Sequence, residues 1–255
     1  MDLFTALVLG IVEGVSEFLP VSSTGHLILA CHLLGLEQTE FLKSFEISIQ
    51  LGAILSVVFL YRRTLLVDLE TLKRVIVAFI PTGILGLVFY RVIKQYLLGS
   101  PSVVLWALFL GGVCLILFEI WHRRRQETVE SPAQMTMFQA VVIGLFQSIA
   151  MIPGVSRSAS TIIGGLFLGL KRKAIVEFSF LLAVPTMLSA TAYDLLKHGS
   201  DISLDQWYFL VVGFVSSFFV ALLSIKFLLR FIQTHTFIPF GVYRILFVTL
   251  WLISV

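Results

Sequence analysis

Six apolar runs divide the chain, near 43–61, 75–93, 102–121, 174–196, 207–229 and 236–255. Each approaches the ~20 apolar residues that carry a helix across a bilayer. The runs are rich in Leu, Val and Phe rather than alternating, which predicts helices and not barrel strands. Two further stretches, 3–36 and 137–170, are apolar but broken in the middle by Pro, Gly, Ser and a charge. Each has room for two short helices, not for two spans. Helices that enter the membrane and turn back fit them, because irregular backbone at that depth persists only under cover of protein or a water-filled cavity. The pattern predicts an all-α integral membrane protein. It has about six transmembrane helices plus two re-entrant helical hairpins, in a single membrane domain over 1–255.

Composition agrees: 58% of residues are hydrophobic and 13% charged, against roughly 25% charged in a soluble domain. The net charge of +3 reads as a topology determinant rather than a nucleic-acid footprint. With the loop at 62–74 cytoplasmic, twelve Lys and Arg fall inside, in 62–74, 122–136, 171–173 and 226–235. Four fall outside (Lys43, Arg91, Lys94 and Lys197), while Arg157 and Arg244 lie within apolar segments. This bias predicts both termini outside and hairpins opening to opposite faces. The segment from Lys197 to Asp205 reads as an ordinary loop. Cys31 and Cys114 stand in apolar context and read as small buried hydrophobes, not as a disulfide or zinc site. The first apolar stretch carries Glu13 and Glu17 and lacks a basic leader, so it does not read as a cleavable signal.

An internal repeat supports the same plan. Leu9 to Gly14 parallels Ile143 to Ser148, Leu19 to Ser23 parallels Ile152 to Ser156, and Phe45 to Ser56 runs at the same spacing as Phe178 to Ser189. The halves, roughly 1–121 and 137–255, each hold one broken stretch and three spans. An odd number of spans inverts one half relative to the other, an architecture that places sites at the repeat interface.

Two clusters carry chemistry. In Glu13-Gly14-Val15-Ser16-Glu17, the carboxylates are four residues apart and share one helix face. Carboxylates on an apolar helix must meet a polar interior, a charge or a metal, and a carboxylate pair suits a hard divalent cation such as Mg²⁺ or Ca²⁺. A plain ion pair with Arg157 or Arg244 is the structural alternative. Pro20 stops the helix, and Ser22, Ser23, Thr24, Gly25 and His26 follow before a new apolar run. That order reads as a capped helix start, whose free N–H groups form a natural phosphate seat. His26 is either a general acid or base or a buried residue that orients Ser23.

The second cluster is Pro153-Gly154-Val155-Ser156-Arg157-Ser158-Ala159-Ser160-Thr161. Gly154 permits a tight turn, and Arg157 offers a planar, permanently charged donor fork suited to phosphate. Ser156, Ser158 and Thr161 add hydroxyls. An Arg ringed by hydroxyls in an apolar setting points to an anion, although it also suits neutralising Glu13 or Glu17. Gln50, in mid-span, suits either helix–helix bonding or ligand contact. Arg244, inside the last apolar run, suits either a second phosphate contact or snorkelling to an interface.

At these motifs the sequence closely resembles the undecaprenyl-diphosphatase family of bacterial membrane enzymes, also called BacA or UppP. The family's Glu/Gln-x-x-x-Glu is matched by Glu13 and Glu17. Its Pro-Gly-x-Ser-Arg-Ser-x-x-Thr is matched by Pro153 to Thr161, and its Pro-Val-Ser-Ser-Thr-Gly-His by Pro20 to His26. The resemblance implies removal of the terminal phosphate of undecaprenyl diphosphate to give the monophosphate carrier of cell-wall synthesis. It also implies bacitracin resistance, a divalent cation, and a multi-pass place in the bacterial inner (plasma) membrane. Glu13 and Glu17 would take metal and acid/base roles. Ser23 and His26 would lie at the reacting phosphate, and Ser156, Arg157 and Thr161 would bind the diphosphate. Further substrate contacts are expected from Ser22, Thr24, Gly154, Ser158 and Arg244. The expected partners are the lipid substrate and the membrane, with no nucleic acid and with a homodimer left open.

The nucleophile is Ser23, with Glu17 or His26 taking its proton, or water, or His26 itself. A transporter that grips the same phosphate headgroup is the rival from another class, because fold does not settle function.

Overall fold

The computed structural model describes residues 1–37, 39–92, 100–123, 125, 127–198 and 206–254. Its helices are α1 Leu3–Ser16, α2 Ser23–Leu33, α3 Glu40–Leu60, α4 Arg62–Val67, α5 Leu69–Val92, α6 Pro101–His122, α7 Met137–Ser148, α8 Arg157–Phe167, α9 Arg172–His198, α10 Trp207–Phe231 and α11 Ile238–Ser254. Among the described residues, five are long and apolar enough to cross a membrane: α3, α5, α6, α9 and α10. The protein is an all-α, multi-pass membrane protein.

The six predicted runs coincide with α3, α5, α6, α9, α10 and α11; α11, with 17 residues, stands at the short end of the roughly 17–25 that cross a bilayer. The broken stretches resolve into α1 with α2 and α7 with α8. At 1.5 Å per residue α1 is about 21 Å long and α8 about 16 Å, well under a hydrocarbon core of about 30 Å. Neither crosses alone. The loop expected at 62–74 is largely helical, with α4 and the first turns of α5 inside it. The loop expected from Lys197 begins inside α9, which continues to His198. Lys94, Arg124 and residues 199–205 lie outside the described residues.

Helix ends follow the local chemistry. Thr39 caps α3 through the Leu42 N–H at 3.2 Å. Thr136 and Gln139 form a reciprocal capping box at α7, which satisfies two otherwise unpaired amides. α10 lies against both α1 and α3, α11 against α6, and α7 against α5 and α8. Small residues permit the close approach: a Cβ on Gly14 would stand 2.7 Å from the Ser217 carbonyl oxygen, the small-residue packing expected of membrane helices. Cys31 is buried as expected, whereas Cys114 is exposed and lines an apolar cleft.

A buried ionic knot ties three segments together away from the turns. Glu119, fully buried on α6, accepts from both Nη atoms of Arg172 at the start of α9. It also accepts from the Phe237 N–H ahead of α11 at 3.1 Å. The Arg172 guanidinium lies 5.8 Å from the centre of the Phe237 ring.

Candidate active site

The turn after α1 and the turn before α8 meet inside the helix bundle. Ser158 Oγ donates to the Leu19 carbonyl at 2.8 Å, and Arg157 Nη2 donates to Glu17 Oε1 at 3.2 Å. Between the turns lies a cavity of about 260 Å³. Its wall holds Glu17, Ser22, Ser23 and Thr24 from the first motif and Pro153, Gly154, Ser156 and Arg157 from the second, with Gln50 from α3.

The two turns share one local conformation. Ser22 has φ +74° and Ser156 φ +80°, a region that costs side-chain-bearing residues energy and concentrates at functional sites. Each is the N-cap of the helix that follows: Ser22 Oγ accepts the Gly25 N–H at 3.4 Å and Ser156 Oγ the Ala159 N–H at 3.2 Å. The repeat read along the sequence pairs Ser23 with Ser156. The turn conformation pairs Ser22 with Ser156, one residue earlier in the first motif. Ser23 and Arg157 then occupy the same position, the first residue of their helices, and both face the cavity.

Ser23 Oγ donates to Glu17 Oε2 at 2.5 Å. One carboxylate thus receives the serine hydroxyl on one oxygen and the guanidinium on the other. Arg157 is steadied by Nη1, which donates to the Ser179 carbonyl at 2.8 Å, while its buried Nε has no protein partner. Glu13 stands one turn before Glu17, fully buried, and neither of its carboxylate oxygens has a protein donor. Glu46 of α3 adds a third carboxylate to its electrostatic surroundings. Carboxylates packed together in an apolar interior call for a counter-charge between them.

His26 is turned away from this chemistry. Its Nδ1 lies 2.8 Å from the Ser22 carbonyl oxygen, which can only accept, so Nδ1 carries the proton. Its Nε2 then accepts from the Tyr243 hydroxyl at 2.7 Å. The ring stacks on Phe247 at 4.4 Å. Both nitrogens are engaged, and His26 is not part of the cavity wall.

Other expected site residues also stand outside the wall. Thr161 is fully buried, with Oγ1 2.6 Å from Ser179 Oγ, so it braces the strand of contacts that holds Arg157. Ser158 bridges the turns. Arg244 lies behind the second turn, donating to main-chain carbonyls. The sequence reading missed Ala150 and, on α9, Thr186, Met187 and Ala190, which complete the wall. Thr186 Oγ1 accepts from Gln147 Nε2 at 3.1 Å. The one clue to it was a hydroxyl beside Pro185 in the middle of a span.

The family described as "Bacitracin resistance protein BacA" matches residues 6–250. Among similar curated proteins, one from Sulfurihydrogenibium sp. is 54% identical over 96% of each chain, and one from Aquifex aeolicus 53% identical over 96% of each. One from Persephonella marina is 51% identical over the full length of both. All three are named undecaprenyl-diphosphatase.

Proposed function

The chain belongs to the bacitracin resistance protein BacA family, and we propose how it acts as an undecaprenyl-diphosphatase at the cavity between its two turns. It removes the terminal phosphate of undecaprenyl diphosphate and yields undecaprenyl phosphate, the lipid carrier of peptidoglycan synthesis. It works in the bacterial inner membrane, with both termini outside; reporter fusions that place either terminus in the cytoplasm would refute that orientation.

The observation that carries the chemistry is the Ser23–Glu17–Arg157 contact. Ser23 Oγ attacks the distal phosphorus as Glu17 takes its proton. The bond from that phosphorus to the bridging oxygen breaks, and undecaprenyl phosphate leaves with the proton that Glu17 hands to its departing oxygen. Water then attacks the phosphoserine as Glu17, again a carboxylate, takes its proton; the bond from phosphorus to Ser23 Oγ breaks, inorganic phosphate is released, and Glu17 returns the proton to Ser23. Arg157 and the helix-opening amides of α2 and α8 hold the charge on the transferred group. His26, with both ring nitrogens engaged, positions the first turn and is not the base.

A divalent cation is our proposal for Glu17, in the cavity wall, together with Glu13, buried one turn before it and outside the wall. The unpartnered Glu13 oxygens offer hard ligands, and Mg²⁺ typically uses one or two carboxylates together with substrate phosphates. Such an ion would neutralise phosphate charge. The deciding experiment measures phosphate release by purified protein in detergent, with and without chelator. Release that needs no bilayer to cross, and that is lost in Ser23→Ala, supports the enzyme. Full activity in Ser23→Ala eliminates the serine route, and no release at all favours the transporter.

A further inference from the structure

Arg244 is the largest fully buried side chain of α11, and it belongs to neither motif. Its guanidinium spans four carbonyl oxygens: Nε to Leu108 at 3.1 Å, Nη2 to Ala107 at 3.0 Å and Gly154 at 2.8 Å, and Nη1 to Val155 at 3.1 Å. Two of these belong to α6 and two to the turn that carries Ser156 and Arg157. No carboxylate of the described residues pairs with it. α6 is shaped to admit the group: a Cβ on Gly111 would collide with Arg244 Nη2 and lie 2.8 Å from Cζ.

The consequence follows from peptide planarity. The chain has no cis bonds among the described residues, so each N–H points opposite to the preceding carbonyl. Holding the Val155 carbonyl on Arg244 turns the Ser156 N–H to the other side of the turn. That side is the cavity: Ser156 and Arg157 line it, whereas Val155 and Arg244 line a separate apolar cleft of about 610 Å³. Without the guanidinium, the Gly154 and Val155 carbonyls would face an apolar space unpaired. A flip of either peptide would satisfy them but would aim an oxygen at the substrate phosphate.

We propose that Arg244 is a positioning residue for the hydrolysis. By anchoring the Gly154 and Val155 carbonyls it presents the Ser156 amide, together with the opening amides of α8, to the phosphate. Its own guanidinium does not touch the substrate. The idea rests on the cavity being the diphosphate site.

The test uses the full chain in detergent, with inorganic phosphate as the probe. Gly111→Ala displaces the guanidinium without removing its charge, and Arg244→Lys keeps the charge without the fork. Both are expected to raise KM for the prenyl diphosphate and the inhibition constant of phosphate together, by about tenfold, the scale of one hydrogen bond to a charged group. A lowered melting temperature with both constants within twofold of the parent overturns the proposal, since only a structural role would remain. In the parent protein, amide exchange of the 152–158 segment should slow in saturating phosphate. Unchanged exchange there overturns it as well, whatever the variants do. A parent that releases no phosphate from substrate refutes the diphosphatase reading instead.

Discussion

Arg157 Nη2 meets Glu17 Oε1 at 3.2 Å, across 140 positions of sequence. That pair joins the two turns and leaves the other carboxylate oxygen for Ser23. A lysine cannot reproduce it while also reaching the Ser179 carbonyl, because it lacks the planar fork. Arg157→Lys is expected to lower kcat/KM by about a hundredfold, read from initial rates of phosphate release.

Ser23 and Glu17 act as one unit, so their removals should not add. Ser23→Ala, Glu17→Gln and the double variant are each expected to lose about 10³-fold or more in kcat. The melting curve of Ser23→Ala in detergent should stay close to the parent's, whereas both Glu17→Gln variants, which take the charge partner from Arg157, should melt lower. Losses that multiply in the double variant would show two independent roles and break the proposed relay.

Chelation should abolish phosphate release, and added Mg²⁺ or Ca²⁺ should restore it. Glu13→Gln is expected to raise the cation concentration giving half-maximal activity by about tenfold or more. A titration curve superimposable on the parent's would remove Glu13 from the cation site.

Tyr243 donates to His26 Nε2. If His26 positions the turn, Tyr243→Phe removes one hydrogen bond and should lower kcat/KM by no more than about tenfold. A loss as deep as that of Glu17→Gln would return His26 to the proton-transfer step.

Buried Glu119 pairs with the partly exposed Arg172 outside the cavity wall. Glu119→Gln leaves the guanidinium only its longer contact with Glu127, at 3.8 Å, and should destabilise the fold by about 2 kcal/mol, below the range for a fully buried pair. Thermal unfolding should report that loss while KM stays at the parent value.

Much was legible along the chain because membrane helices are written in long apolar runs, and a run needs no distant partner to be recognised. The hairpins were legible too, since Pro20 and Pro153 with their Ser and Gly neighbours interrupt apolar sequence where water cannot satisfy the backbone. Ser23, Glu17 and Arg157 could be picked out because charged and hydroxyl groups in that setting are costly.

What the sequence could not decide was direction. His26 and Thr161 sit in the same motifs as Ser23 and Arg157, yet one turns to Tyr243 and the other to Ser179. Arg244 reads as a phosphate ligand by residue type and lies behind the turn by packing. Thr186 drew no notice along the chain and stands in the cavity wall. Local pattern determines which segments are helical and which residues are chemically out of place. Which of those residues share a cavity depends on how α9 and α11 pack against the two turns, the first of them in the other half of the chain, and only the tertiary structure sets that.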